Sequence, residues 1–476
     1  MHALPCAIRR VGARIRRSYA GRSRQWCYRG LSLFDNPIVS TVLHARRRRI
    51  DTGKVRMLNV AGGSDQPRTA VVVGAGVVGL STAWFLQERG VDVTVVDRAG
   101  VAAGASWGNA GWVSPGLALP LNDPGVLRYG LRSFFDPAAP LHVPARIDPA
   151  LWRFLLRFAA RCTEQGWDRV ARANATLNVE SLAAYDDLAA GGVATHAMQA
   201  PVTAVFETHR QADALVDEFD RLAAAGQDVS FHHLPADELR DWLPQASDRL
   251  GEGVRIDGQR HVDPGAFVGA LAEAVRARGG EIRSGFDVVD VRSHGRAVTV
   301  RSATSTTVSA HAVVLAHGAW FTRLGRRFGV RVPVRAGRGY SFTVPTDEPV
   351  PGPVYLPGIR VACTPYQGAL RVAGTMEFRR PDEELDPARI RAIVDSARPL
   401  LTGVRWEDRR DEWVGARPVT HDGKPLIGAT NAPGVYVAAG HGMWGLTQGP
   451  LTGRLLAEHI VTGKRPDALA DFDPLR

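Results

Sequence analysis

Length and composition are compatible with two or three domains and a large buried core, since the chain has 476 residues of which 45% are hydrophobic and 22% charged. Its net charge of +11 is concentrated before position 57, where fourteen Lys or Arg residues accompany two acids. The remainder is therefore close to neutral, which argues against nucleic-acid binding by the folded part.

Residues 1–66 are predicted to form a basic arm outside the folded domains. The arm is Arg-rich and acid-poor, which is typical of an organelle transit peptide and equally of upstream sequence translated from a start codon set too early. We expect either that Met57 is the true start or that the arm is disordered. No apolar segment precedes a small-residue cleavage site, so no secretory signal is predicted.

The four cysteines indicate neither a disulfide framework nor a metal site. They form no CxxC pair, and no Cys/His cluster has zinc-ligand spacing. This usage fits a reducing compartment.

A strand, a glycine turn, a helix and a second strand follow one another between Thr69 and Asp97. The strand Val71–Val73 leads into a GxGxxG pattern whose glycines are Gly74, Gly76 and Gly79. These allow, in turn, a sharp turn, close approach of the backbone to a pyrophosphate, and tight packing of helix on strand. Asp97 ends the second strand at the position of a ribose-binding acid. The order of these elements favours a dinucleotide site over a bare turn, and the stretch is too short for a membrane span.

The roughly 165 residues that follow Asp97 include a segment predicted to cap the nucleotide fold. A glycine-rich loop containing Ser106, Gly108 and Asn109 suits contact with a planar ligand. Residues 115–148 are proline-rich and irregular, and residues 151–220 predict two or three amphipathic helices interrupted by the strand VTAVFET.

The nucleotide-domain pattern returns near Asp263, where Asp-Pro predicts a helix start. Residues 310–319 predict a buried strand running into a turn at Gly318, expected to close around the same cofactor. Residues 337–378 alternate like an antiparallel sheet, residues 386–400 predict a helix, and the last segment combines a glycine-rich loop, a strand at 435–439 and a closing helix.

The sequence resembles the D-amino-acid oxidase superfamily of FAD-dependent oxidoreductases, and within it the bacterial D-amino-acid dehydrogenases, from about Val71 to Ile460. The matching segments are GAGVVGLSTAWFL with VTVVDR, GNAGWVSPG, GYSFTVP, VACTPYQGALRVAGTMEF, and GARPVTHDGKPLIG with VAAGHGMWGLTQGP. The arm before Met57 has no place in this family. A single GxGxxG argues separately against a second, NAD(P)H-binding fold.

The resemblance implies an α/β fold with a Rossmann-like FAD-binding domain and a substrate domain built on a mixed, largely antiparallel α+β sheet. We expect residues 67–114, 260–335 and 406–470 to form the first domain, and residues 115–259 and 336–405 to form the substrate or cap domain.

The same resemblance implies roles for individual residues around FAD. Asp97 is expected to bind the adenosine ribose, and Val288 to contact the adenine through its backbone. The loop residues Ser106, Gly108 and Asn109 are expected to run beside the diphosphate and the flavin. A helix N-terminus at the flavin pyrimidine edge is implied at Gly442, Gly445 and Thr447, where it would stabilise the negative charge of the reduced ring.

Three residues are candidates for catalysis: Arg417, His441 and Tyr340. Arg417 lies in the G-x-R-P segment, whose Arg holds the substrate carboxylate in related amino-acid oxidases; a guanidinium grips a carboxylate through two hydrogen bonds. The alternative is a structural pair with Asp411 or Glu412. His441 either donates to the flavin or packs as a cap, and the Tyr340 side chain either faces the substrate or packs in the sheet.

The predicted reaction is FAD-dependent oxidative deamination of D-amino acids to 2-oxo acids and ammonia, with electrons passing to a quinone-type acceptor. Ala362 stands where glycine-oxidase relatives carry a Tyr, which favours a dehydrogenase. The alternatives are oxidation of a secondary amine such as sarcosine or hydroxyproline, or a flavin-binding subunit of a heteromeric amine dehydrogenase. A cytoplasmic location is expected, and peripheral association with the inner face of the membrane is left open.

Overall fold

The computed structural model describes residues 66–125, 139–144 and 147–476. The basic arm up to residue 65 and the proposed start at Met57 lie outside the described residues, as does part of the irregular segment 115–148.

The longer helices occupy the positions that hydrophobic spacing predicts, whereas the short helices at 236–242 and 322–325 were not predicted. Asp263 caps one of them, because its carboxylate accepts a hydrogen bond from the Ala266 N–H at 3.1 Å and Pro264 fills the first helical position. The described helices are α1 (Val77–Glu88), α2 (Pro149–Ala159), α3 (Glu164–Ala190), α4 (His209–Ala224), α5 (Ala236–Trp242), α6 (Pro264–Ala277), α7 (Thr322–Gly325), α8 (Pro387–Ala397) and α9 (Gly445–Thr462).

The strands of the described residues form two large and two small sheets. They are β1 (Thr69–Val73), β2 (Asp92–Val96), β3 (Trp112–Val113), β4 (Leu141–His142), β5 (Met198–Gln199), β6 (Val202–Phe206), β7 (Phe231–Pro235), β8 (Glu252–Ile256), β9 (Arg260–His261), β10 (Glu281–Arg283), β11 (Val288–Ser293), β12 (Val298–Ser302), β13 (Thr307–Ala310), β14 (Ala312–Leu315), β15 (Val334–Val344), β16 (Val354–Leu356), β17 (Val361–Tyr366), β18 (Ala369–Glu377), β19 (Arg410–Thr420), β20 (Leu426–Ala429) and β21 (Val435–Ala439).

The first large sheet is parallel except at one edge. Its order is β10-β2-β1-β14-β21-β20, and only β20 runs antiparallel to its neighbour. Strand β1 pairs with β2 on one side and with β14 on the other. The strand order therefore reverses at β1, because its two parallel neighbours lie on opposite sides of it. The carboxyl ends of β1 and β14 border the crevice where such sheets bind ligands.

Helices α1 and α9 pack together beside this sheet around a shared apolar core. Leu80, Trp84, Leu451 and Leu456 are all buried in it. At Gly453 an added Cβ would lie 2.7 Å from the backbone of Ser81, so glycine is what allows the two helices to approach so closely.

The second large sheet is mostly antiparallel, as the sequence of residues 337–378 predicts. Its order is β19-β15-β18-β17-β16-β6-β8-β7, with β4 added beside β18. Strand β19 belongs to this sheet, although residues 406–470 were assigned from the sequence to the cofactor domain. The division of the chain into two domains at the stated boundaries stays a prediction.

Candidate active site

The glycines after β1 form a turn that only glycine fits. Gly74 has φ +115°, and an added Cβ would lie 2.5 Å from the carbonyl oxygen of Ala316 at the end of β14. At Gly79 an added Cβ would lie 1.9 Å from the carbonyl oxygen of Gly74, so Gly79 permits the contact of helix with strand. Gly76 precedes α1 and leaves its N-terminal N–H groups accessible to an anion.

Asp97 lies directly after β2 and is held by backbone groups. One carboxylate oxygen accepts from the Ala75 N–H at 2.9 Å, and the other accepts from the N–H groups of Ala99 and Gly100 at 2.8 and 2.9 Å. These three bonds fix the acid beside the glycine turn, where the sequence predicts a ribose contact.

The loop after Asp97 folds back over the start of α1. The Ser106 hydroxyl accepts a hydrogen bond from the Val77 N–H at 3.1 Å. Asn109 stabilises the loop itself, because its side chain donates to the Ser106 carbonyl at 2.8 Å and accepts from the Gly111 N–H at 2.7 Å. The loop is therefore ordered by its own hydrogen bonds.

One cavity of about 720 Å³ connects this turn with the second sheet. Every predicted site residue lines it except Gly79, which is buried behind the turn. The lining members of the predicted set are Gly74, Gly76, Asp97, Ser106, Gly108, Asn109, Val288, Gly318, Tyr340, Arg417, His441, Gly442, Gly445 and Thr447. The structure brings these residues together; their individual roles toward cofactor and substrate stay predictions.

Arg417 contributes an isolated positive charge to this cavity. Its Nη1 donates to the Thr375 carbonyl at 2.8 Å, and no carboxylate of the described residues lies within 4.0 Å. The alternative pairs predicted from the sequence do not form, because Asp411 pairs with Arg410 and Glu412 with Arg409. Burial lowers the pKa of Arg417 to about 10, which leaves the guanidinium charged at neutral pH.

Arg417 lies inside β19, and its neighbours shape its position. An added Cβ at Gly339 of β15 would lie 2.0 Å from Nη2 of Arg417, so the guanidinium rests on bare backbone there. Thr375 sits at a β-bulge in β18 with φ +59°, a strained conformation for a β-branched residue, and this turns its carbonyl toward the guanidinium.

Trp413, four residues before Arg417, forms another part of the wall. An added Cβ at Gly108 would lie 2.2 Å from its ring, and one at Gly415 would lie 2.0 Å away. The indole therefore fills the space between two glycines, which ties the cofactor loop to β19.

His441 and Tyr340 are both held by buried partners. His441 Nε2 lies 3.0 Å from the Thr452 hydroxyl of α9, and burial lowers the pKa of His441 to about 4, so the ring is neutral. The Tyr340 side chain is fully buried, and its hydroxyl donates to Glu377 at 2.6 Å. Burial first, and then the Glu377 carboxylate, raise the pKa of Tyr340. This geometry favours packing and positioning roles over contact with a substrate.

The N-terminus of α9 points its free N–H groups at the same cavity. Gly442 takes φ +55° just before it, and Gly445 begins the helix. The Thr447 hydroxyl accepts from the Ser114 N–H at 3.1 Å and donates to the Trp112 carbonyl at 3.3 Å. These bonds hold the cavity wall against the helix.

Sequence reasoning missed His317, which lies between β14 and Gly318. Neither ring nitrogen has a partner among the described residues, although both are buried. Burial lowers the pKa of His317 to about 4, while Asp97 opposes that shift. A histidine after the strand AVVL was visible in the sequence, but nothing local indicated that it faced Asp97 across the crevice.

A group of possible metal ligands, which the sequence did not predict, lies outside this cavity. His209, His233 and Glu252 place one ligand atom each within 4.8 Å of one another. His233 Nδ1 lies 2.9 Å from the Glu252 carboxylate, so a hydrogen bond already accounts for their proximity.

The residues present fit a bound dinucleotide. Glycine backbone at Gly74 and Gly76, the N-terminus of α1 and the fixed Asp97 provide sites for a diphosphate and a ribose. The unpartnered His317 nitrogens face the same crevice. A parallel sheet with this crevice, joined by one cavity to a partly buried arginine in a second sheet, is typical of a dinucleotide-dependent enzyme.

The chain belongs to the DAO family of FAD-dependent oxidoreductases, whose family model matches residues 69–459. Its cofactor is accordingly FAD. Similar proteins include a D-amino acid dehydrogenase from Cereibacter sphaeroides, 34% identical over 405 residues that cover 83% of this chain and 92% of the relative. Another from Paramagnetospirillum magneticum is 32% identical over 419 residues, which cover 84% and 96%.

Solved structures confirm the fold. Glycine oxidase from Geobacillus kaustophilus has a TM-score of 0.66 at 23% identity, covering 87% of this chain and 99% of its own. L-proline dehydrogenase from P. horikoshii has a TM-score of 0.64 at 16% identity, covering 86% and 98%. Among the described residues no helix is both long and apolar enough to cross a membrane.

Proposed function

We propose that the protein oxidises D-amino acids to 2-oxo acids and ammonia and passes the electrons to a quinone-type acceptor. One observation carries the proposal: Arg417 is a partly buried cation with no carboxylate partner among the described residues, on the wall of the cavity that the FAD-binding turn opens into. A buried charge is costly until it is paired, so the site favours a ligand with a carboxylate.

Arg417 would bind the substrate carboxylate through two hydrogen bonds and thereby fix the direction of the Cα–H bond. FAD, when bound, supplies a two-electron acceptor. Loss of a hydride from Cα and of a proton from the amine nitrogen leaves an imino acid, and water converts it to the 2-oxo acid and ammonia. The N–H groups at the start of α9 would stabilise negative charge developing in the cavity.

The described histidine and tyrosine candidates are not needed as bases in this scheme. His441 is neutral and hydrogen-bonded to Thr452, and the Tyr340 hydroxyl is used by Glu377. Both residues would hold the strands and the helix that line the cavity in place. The amine would enter in its neutral form, having released its proton to solvent.

The names of the similar proteins support the amino-acid substrate and its configuration, since relatives at 29–34% identity are D-amino acid dehydrogenases. Neighbours in fold act on glycine, iminodiacetate and L-proline by their titles, which keeps secondary amines as comparison substrates. An arginine without a carboxylate partner can bind any of these substrates, and the experiment below distinguishes D-amino acids from secondary amines.

Anaerobic mixing of the FAD-loaded protein with candidate substrates tests the proposal. D-Alanine and D-proline should bleach the flavin absorbance, while their L enantiomers, sarcosine and iminodiacetate should do so at least ~10-fold more slowly. Arg417→Ala should bind FAD but lose bleaching by D-alanine at the same concentrations. A fully flavinated protein that no D-amino acid reduces would overturn the proposal, and faster reduction by sarcosine would replace it with the secondary-amine function.

A further inference from the structure

The cavity continues beyond Arg417 to a second polar end formed by α4. Leu215, Phe219 and Leu222 of this helix are buried against β6 and β8. Glu218 lies on the same face, three residues after Leu215, but its side chain lines the cavity. An acid among core positions of a helix calls for a partner, because a buried carboxylate is stable only when paired.

Glu218 makes no hydrogen bond or ion pair with any described residue. Burial is the main reason that its pKa rises to about 7, and Asp123 adds to the rise, while Arg360 and Arg221 oppose it. Arg221 is already paired with Asp168 at 2.7 Å. Among the described residues that shift the Glu218 pKa, Arg360 is the one cation not paired with an acid, and it is exposed.

Aromatic rings lie near this carboxylate. Trp112 and Tyr355 line the cavity, their rings meet edge to face at 5.7 Å, and the charge of Glu218 acts on the Tyr355 hydroxyl. Trp167 also lines the cavity, but its ring already carries the Arg221 guanidinium at 4.0 Å. A carboxylate beside indole and phenol faces is the chemistry that recognises ammonium and guanidinium groups, since the ring faces attract cations as well.

The cavity surface between the Arg417 end and the Glu218 end is formed by small apolar side chains. Tyr355 pairs across the sheet with Ala362, and Ala362 pairs with Ala373. The Arg417 guanidinium is bonded to Thr375 on β18, and Tyr355 lies two strands away on β16, roughly 10 Å at ordinary strand spacing. A substrate anchored at Arg417 would therefore need a long side chain to reach Tyr355 and the carboxylate near it.

We propose that Glu218, with the aromatic wall of Trp112 and Tyr355, forms the subsite for the substrate side chain and selects basic D-amino acids of the lysine and arginine class. The inference rests on the proposed function, because it uses Arg417 as the carboxylate anchor. It adds the identity of the side chain, which the family does not determine.

The test compares substrates of matched length by anaerobic stopped-flow reduction of the FAD-loaded enzyme. D-Arginine and D-lysine are compared with uncharged D-norleucine and with D-glutamate through the ratio of reduction rate constant to Kd. The wild-type ratio should favour D-arginine over D-norleucine by at least ~10-fold, as expected for a hydrogen bond between charged groups. Because all substrates share the α-amine, its ionisation cancels in this comparison.

Glu218→Gln should lower that preference at least ~10-fold, and Glu218→Lys should shift the preference toward D-glutamate. The matched control is Asp217→Asn, an exposed acid one position earlier on α4, which should keep the wild-type preference. FAD content and Tm identify any variant that fails to fold. In that case the preference of the wild-type enzyme for D-arginine over D-norleucine tests the inference without the variants.

A preference for D-norleucine or D-glutamate over D-arginine in the wild type would overturn the inference, as would an unchanged preference in folded Glu218→Gln. Either result leaves the proposed function standing, because a D-amino acid still reduces the flavin. If neither D-alanine nor any of the four substrates reduces the flavin, both the proposed function and this inference are overturned.

Discussion

Gly339→Ala should weaken substrate binding although it replaces no side chain that contacts the substrate, because it displaces Arg417. The added Cβ would lie 2.0 Å from Nη2 of Arg417, whereas ordinary contact begins at 3.4 Å. The guanidinium must therefore withdraw by about 1.4 Å, and a 1 Å misplacement of a positioning group costs ~10²-fold in reaction rate. We expect the Kd for a substrate carboxylate to rise ~30- to 100-fold, equivalent to about 2–3 kcal/mol.

The assay is an anaerobic titration of the flavin spectrum with D-alanine and with a non-oxidised carboxylate such as acetate. The control variant is Gly269→Ala in α6, where an added Cβ meets nothing within 4 Å, and both variants should bind FAD like the wild type. In an Arg417→Lys background the effect of Gly339→Ala should shrink, because the two residues act through one contact. An unchanged carboxylate Kd in Gly339→Ala would refute this placement of the guanidinium.

Three further predictions concern the cofactor turn and the buried titratable groups. Gly76→Ala, whose Cβ would lie 3.1 Å from the Ser106 hydroxyl, should weaken FAD binding at least ~10-fold by fluorescence titration, because the backbone can no longer approach the diphosphate. His441 has a folded-state pKa depressed from 6.5 to about 4, so the stability it contributes above pH 6.5 is lost as the pH falls toward 4; His441→Gln should flatten the acid side of the urea-unfolding profile by up to ~3 kcal/mol. The pH dependence contributed by Glu218 has the opposite sign, since its pKa is raised from 4.5 to about 7 in the folded state. The folded state keeps a proton that the unfolded state releases, so the free energy of unfolding falls as the pH rises through that range. Glu218→Gln should therefore become more stable than the wild type by up to ~3 kcal/mol between pH 5 and pH 8. A constant difference between variant and wild type across pH would contradict either assignment.

The cofactor half of the site was predictable because its signals are local. Gly74, Gly76 and Gly79 lie in one turn, and Asp97 follows the next strand at the spacing the turn requires. Strand, turn and helix form from residues adjacent in the chain, so spacing alone located them. The antiparallel sheet around residues 337–378 was predictable for the same reason.

The substrate half depends on contacts between distant segments. Gly339 and Thr375 position Arg417 from two other strands, and a positive φ at a threonine has no signature in the sequence. Glu218 left a signal that was not used: it occupies an apolar-face position between Leu215 and Phe219 of an otherwise regular amphipathic helix. What that acid faces depends on the tertiary fold, so its role required the structure.

The central claim is that a partly buried arginine on β19 holds a carboxylate inside the cavity that FAD enters. A crystal structure of the FAD-loaded enzyme with a bound 2-oxo acid product tests it most directly. The account predicts both carboxylate oxygens within about 3 Å of the Arg417 guanidinium, which still rests on Gly339. A carboxylate bound elsewhere in the cavity, or an Arg417 paired with the cofactor phosphates, would contradict it.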